Sequence, residues 1–301
     1  MKEDSVVADK VSELDNCLGL INPYSEVLAY EYLYSMDKAS LKTISHLTVD
    51  RGLLPSDVLG ELLVLPDDYE TVRGFLDSKL GSFAVAVENT PQYPKKLHVA
   101  KERVPLIYYQ GDIDLIESKG VSVVGARKAT GEGLARARRL ARILAQNNVT
   151  VVSGLAKGVD TAALTSAIGN GGRVIGVIGT PIDQVYPKEN LRLQKHIAKE
   201  HLLVSQVPFY RYATQPFNSK KVYFRERNVT MAAISDATVI VEASDTSGTL
   251  IQARACISQG RPLFIMKSCL ENPDVSWPRR FVGNGGFILE EPEQLLDAIG
   301  A

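Results

Sequence analysis

From residue 121 onward the chain alternates short β-branched runs with longer stretches whose apolar positions recur at helical spacing. The runs are Val121 to Val124, Val149 to Val152, Val174 to Ile178, Leu202 to Val204, Thr238 to Val241 and Pro262 to Met266. Between them, Leu134 to Asn147, Asn190 to Glu200 and Leu250 to Gln259 have the length and period of helices. Parallel neighbours require crossovers, and continuously apolar strands require cover on both sides. Six strands spaced by helices therefore predict an α/β fold, a mostly parallel sheet with helices on both faces. Ligands of such sheets bind outside the carboxyl ends of the strands, so the residues just after each run are the informative ones.

The first eighty residues are patterned differently. Val27, Leu28, Tyr30, Tyr32 and Leu33, and then Leu41, Ile44 and Leu47, fit helical spacing, and Leu59 to Leu65 forms a further apolar run before Pro66. A small helical domain over residues 1–80 is expected, joined near Gly81 to a sheet domain over residues 81–301.

With 301 residues, 45% hydrophobic and 23% charged, the chain can bury enough apolar surface to offset ordering entropy, which excludes a wholly disordered protein. No apolar stretch approaches the ~18 residues of a membrane span and no secretory pattern opens the chain, so a soluble cytoplasmic protein without a membrane partner is expected. Cys17, Cys256 and Cys269 lack C-x-x-C spacing, and the histidines form no H-E-x-x-H. No disulfide framework, metal or cofactor is therefore expected. The formal net charge of −1 conceals an uneven distribution, −8 over residues 1–120, +11 over 121–230 and −4 over 231–301. Positive charge gathered in one third of the chain attracts polyanions; the alternative is a solvated helix face such as Arg136, Arg138, Arg139 and Arg142.

Gly125-Ala126-Arg127-Lys128 follows the first run and Ser153-Gly154-Leu155-Ala156-Lys157-Gly158-Val159-Asp160 the second. Glycines there permit tight turns, and free N–H groups at the next helix start make an anion site that Arg127 and Lys157 reinforce. An ordinary strand-to-helix turn is the alternative for each loop alone. Neither loop is G-x-G-x-x-G and no G-x-x-x-x-G-K-[ST] occurs, which removes the main support for a dehydrogenase or an ATPase. Lys220-Lys221-Val222-Tyr223-Phe224-Arg225-Glu226-Arg227-Asn228 interleaves cations with aromatic rings, a pattern suited to single-stranded nucleic acid, with Phe224 either stacking on a base or buried against the sheet. Ser247-Gly248-Thr249 offers hydroxyls and N–H groups at a further helix start. Asp160 is expected to cap nearby N–H groups and Glu242 to be a hydrogen-bonded structural carboxylate.

A collinear series of phrases over about residues 83–289 resembles the DNA-processing protein A (DprA, also called Smf) family. The phrases are Tyr93-Pro94 with Leu97, Pro105 to Gly111, Val123 to Arg127, Ser153 to Asp160, Tyr186-Pro187 with Glu189-Asn190, Phe224 with Arg227-Asn228, Val241-Glu242-Ala243, Ser247 to Leu250 and Gly260-Arg261-Pro262. The resemblance implies an extended Rossmann-like fold and a non-catalytic protein that binds single-stranded DNA. It further implies protection of incoming strands and loading of a RecA-type recombinase in natural transformation, commonly as a homodimer. Nucleic-acid-binding roles carry over to Arg127, Ser153, Gly154, Lys157, Lys220, Lys221, Phe224, Arg225, Arg227, Asn228, Ser247, Gly248 and Thr249. The chain departs from the family at Ala163-Leu164, Gln206, Val229 and Met266-Lys267-Ser268, and a member without a winged helix after residue 301 is expected, serving transformation or a mobile-element or defence process. The alternative is a nucleotide sensor or hydrolase of the lysine-decarboxylase-like (LOG) Rossmann group.

Overall fold

Pro23, Pro55 and Pro66 each stand in the first turn of a helix, where a missing N–H has no partner to lose. They open α1 (Pro23–Ser35), α3 (Pro55–Gly60) and α4 (Pro66–Asp77), while α2 (Leu41–Leu47) starts from a reciprocal Ser40–Thr43 cap. These belong to a computed structural model that describes residues 21–301 apart from residue 82; Cys17 lies outside the described residues. The apolar run Leu59 to Leu65 is mostly a connecting turn, and Leu63 is 92% exposed.

One sheet carries nine strands, β1 (Ala84–Val87), β2 (Leu106–Gly111), β3 (Gly120–Val124), β4 (Thr150–Ser153), β5 (Val174–Val177), β6 (Leu202–Ser205), β7 (Ala237–Ile240), β8 (Leu263–Met266) and β9 (Phe287–Leu289). Their order is β1-β2-β6-β5-β4-β3-β7-β8-β9, parallel from β6 to β9, with β1 and β2 antiparallel at one edge. The six expected runs become β3 to β8. The other three carry weaker signals: β1 is Ala-Val-Ala-Val, β2 is half aromatic and polar, and β9 has three residues at the sheet edge.

From β3 the chain winds outward through β4, β5 and β6, then returns to the other side of β3 as β7, β8 and β9. The order therefore reverses between β3 and β7, and that crevice is where such folds place ligands. The longer helices between the strands are α5 (Gly131–Gln146), α6 (Val159–Gly169), α7 (Leu191–Glu200), α8 (Phe209–Thr214), α9 (Lys221–Ile234), α10 (Thr249–Ser258) and α11 (Trp277–Gly283), and α12 (Pro292–Ile299) follows β9. Alternation along each strand splits the core into two layers. Val121, Val123 and Tyr108 pack with Leu140, Leu144, Ala163 and Ile197 on one face; Val124, Val152 and Ile107 pack with Met231, Ala253 and Trp277 on the other.

The first layer also takes in the amino-terminal helices. Helix α1 is buried from Glu26 to Tyr34, enclosing Val27, Leu28, Ala29, Tyr30, Tyr32, Leu33 and Tyr34 together with two carboxylates, Glu26 and Glu31, that must find hydrogen-bond donors inside. Tyr30 donates to the Gln206 carbonyl at 3.0 Å, and the buried Glu31 carboxylate accepts from the Tyr108 hydroxyl (2.6 Å) and the Phe209 (2.8 Å) and Tyr210 (2.9 Å) amides. These bonds tie α1 to β2 and to the start of α8. Cys256 and Cys269 are buried free thiols, and among the described residues no helix is long and apolar enough to cross a membrane.

Candidate nucleic-acid interface

The turn after β4 is tightly constrained. Leu155 adopts a left-handed φ of 56°, and Gly158 one of 81° against the Ala126 carbonyl, which an added Cβ would meet at 2.3 Å. The Asp160 carboxylate accepts from the Gly154 and Ala156 amides at 3.1 and 3.4 Å, and Asn190 Nδ2 donates to the Leu155 carbonyl at 2.7 Å. Asp160 thus caps N–H groups, as its place in the sequence implied, though they are those of the turn before its helix.

Beneath this turn lies Arg227 of α9. It is buried, and its Nη1 donates to the carbonyls of Gly154 and Val177 at 2.7 Å each, clamping the ends of β4 and β5. Burial pushes the Asp160 carboxyl up and the Arg227 guanidinium down, and each group is drawn back toward its charged form by the other. Arg127 acts on Arg227 in the unfavourable sense, as one cation beside another. Arg127 is exposed and, among the described residues, has no ion-pair partner, so an anion placed here relieves that repulsion.

Arg127, Gly154, Ala156, Lys157, Phe224 and Arg227 line one pocket of about 80 Å³ together with Tyr186 and Pro187. Lys157 is paired with Glu189 at 2.6 Å, and both side chains are more than half exposed, so the lysine is held by a bond of little strength. Phe224 is half-buried: one side of its ring packs on Gly179 at the end of β5, and its edge meets Tyr186 at a centroid distance of 5.6 Å. Its ring thus touches the sheet on one side and lines the pocket. Tyr186, 49% exposed, completes the aromatic wall; its position after β5, next to proline, was the available signal.

Other candidate residues are placed differently. Ser153 is fully buried and donates to the Val123 carbonyl at 2.7 Å, so its hydroxyl joins β4 to β3 in place of meeting phosphate. Asn228 is buried with its carbonyl oxygen on Arg227 Nε at 3.0 Å, a supporting position. Lys220 lies 4.5 Å from the Tyr212 ring centroid, whereas Lys221 and Arg225 are exposed one turn apart on α9. Ser247, Gly248 and Thr249 sit at the start of α10, outside the pocket lining, where Thr249 donates to the Gly125 carbonyl at 3.1 Å.

Glu242 changes the meaning of the crevice between β3 and β7. Its carboxylate accepts from the Thr130 amide at 3.0 Å and the Thr130 hydroxyl at 2.6 Å, at the residue that caps α5. The helix start where a nucleotide phosphate would rest is therefore already occupied by an anion of the chain itself. A larger depression of about 550 Å³, lined by Phe83, Tyr109, Gly111, Lys195 and Lys199 among others, lies at the amino ends of the parallel strands, since Gly111 pairs with Leu202. It is remote from this rim.

The family model of DNA recombination-mediator protein A matches residues 84–300. The curated DNA processing protein DprA of Streptococcus pneumoniae is 38% identical over 172 residues, 57% of this chain and 58% of that protein. The match thus spans a little over half of that relative's length. The X-ray structure of DNA processing protein A from Streptococcus pneumoniae superposes with a TM-score of 0.71 at 27% identity, covering 92% of this chain and 98% of that one. A structure of DNA processing protein A from Helicobacter pylori, described by its single-stranded DNA binding mode, gives a TM-score of 0.60 at 25% identity over 72% of this chain and 96% of that one.

Proposed function

The chain belongs to the DNA recombination-mediator protein A family, and from that premise and the rim geometry we propose that it is a DNA-processing protein of the DprA/Smf type that binds single-stranded DNA. The observation that carries this is the meeting of Arg127, Lys157, Phe224 and Tyr186 around one small pocket at the ends of β3, β4 and β5. Cations there follow phosphates while a ring face takes an unpaired base, and duplex DNA offers no such base. Protection of incoming strands and assistance of a RecA-type recombinase, in natural transformation or a related uptake, mobile-element or defence process, are the roles assigned. They are assigned to a cytoplasmic homodimer with no catalytic step.

A nucleotide sensor or hydrolase is disfavoured on two grounds. Glu242 fills the phosphate position of the crevice, and about 80 Å³ falls far below the ~300–1,000 Å³ of pockets that enclose a small ligand. A polymer lying across the rim needs no enclosure.

Fluorescence anisotropy with oligo-dT at two salt concentrations tests the proposal. Arg127→Ala combined with Lys157→Ala is expected to weaken binding by about tenfold or more in low salt and to flatten the salt dependence by about one to two counterions. Unchanged affinity and slope in that variant would overturn it.

A further inference from the structure

Helix α5 buries Ala137, Leu140, Ala141 and Leu144 and turns Arg138, Arg139 and Arg142 to solvent. Residues 138 and 142 are one turn apart and residue 139 lies beside them, so the three guanidinium groups share the outward face. The acid on this helix, Glu132, is engaged with Arg136 at 3.3 Å, and the neighbouring α6 carries only Asp160, which is buried. Among the described residues Arg138, Arg139 and Arg142 have no side-chain ion-pair partner, and Lys128, exposed at the foot of the helix, has none either.

The position of this stripe is as informative as its charge. Arg127 lines the pocket, Lys128 follows it, and Thr130 caps α5, so the helix begins at the rim and runs away from it along the outer flank. Between Thr130 and Arg142 the rise is about 18 Å, the span of roughly three to five phosphates. Like charges at this spacing repel one another and lower helix stability unless something of opposite sign lies along them. A polyanion emerging from the pocket has that sign and that length.

We propose that the outward face of α5 is a second contact surface for nucleic acid, along which the sugar-phosphate backbone of a strand held at the rim continues past Lys128 to Arg142. This rests on the single-strand binding proposed above and extends it from one pocket to a track.

The test compares a thymidylate hexamer with an oligomer of about twenty nucleotides, site sizes per module being roughly 4–16 nucleotides. The triple variant Arg138→Gln, Arg139→Gln, Arg142→Gln keeps good helix formers, and circular dichroism checks its fold. It is expected to bind the hexamer as the unaltered protein does, to lose about tenfold in affinity for the long strand in low salt, and to show a salt slope for that strand lower by about two. The corresponding triple lysine variant is expected to retain long-strand binding. Equal long-strand affinity and slope in the glutamine variant would overturn the track while leaving the pocket standing. Failure of the unaltered protein to bind either oligomer would overturn the single-strand proposal and the track with it.

Discussion

Gly154 shows how closely the rim is built around one buried cation. A Cβ at this residue would lie 2.0 Å from Arg227 Nη1 and 2.5 Å from its Cζ, and the guanidinium cannot swing aside because it is held by two carbonyls. Gly154→Ala is therefore expected to expel Arg227 and leave Asp160 buried without its counter-charge. The cost should be on the order of 3 kcal/mol in urea unfolding, and single-strand binding should be lost with the pocket. A cost below about 1 kcal/mol would show that the turn yields instead. At this scale the glycine loops and their cations were legible, because residues directly after an apolar run must face the rim. Ser153 and Asn228 were not, since whether a polar side chain points to solvent or bridges two strands depends on neighbours far away in the chain.

Among the elements, α1 and α9 are joined to the rest through carboxylates that burial makes reluctant to ionise. Glu31 of α1 meets the amides that open α8, and Glu226 of α9 accepts from the Leu41 amide at the start of α2 at 3.0 Å. Desolvation raises both from an ordinary 4.5 to about 7. The folded protein thus holds these protons more tightly than the unfolded chain does. Their contribution to stability is complete below about pH 4.5 and is lost as pH rises through about 7. Thermal unfolding followed between pH 5 and 8 should accordingly show a midpoint falling by several degrees, and Glu226→Gln should remove its share of that slope. A flat or rising midpoint would contradict this account. Helices α1 and α2 and the six central strands were readable from period alone, whereas α3 and α4 were not, because the apolar run Leu59 to Leu65 falls mostly in the turn between them. Strands β1 and β2 were not, because they pair antiparallel at an edge with side chains chosen to meet α1, as Tyr108 does through Glu31.

For the molecule as a whole, the winding order of the sheet and the charge map agree on one flank. The segment with the positive balance, residues 121–230, is the one that supplies β3 to β6, α5 and α9, so a nearly neutral chain presents a cationic rim beside acidic surroundings. Pattern and composition foretold this division of charge, while the sharing of a core between α1 and the sheet emerged only in three dimensions, through Tyr30 and Tyr108 in the same layer. Glu242 then has a consequence for which part of a strand is gripped. A berth at the crevice would favour a terminal phosphate; with a carboxylate installed there, the proposed single-strand binding would fall to internal diester links at Arg127 and Lys157. A covalently closed circle of single-stranded DNA should then compete as well as a linear one of equal length, and a preference for free tips would show that the plug can be displaced.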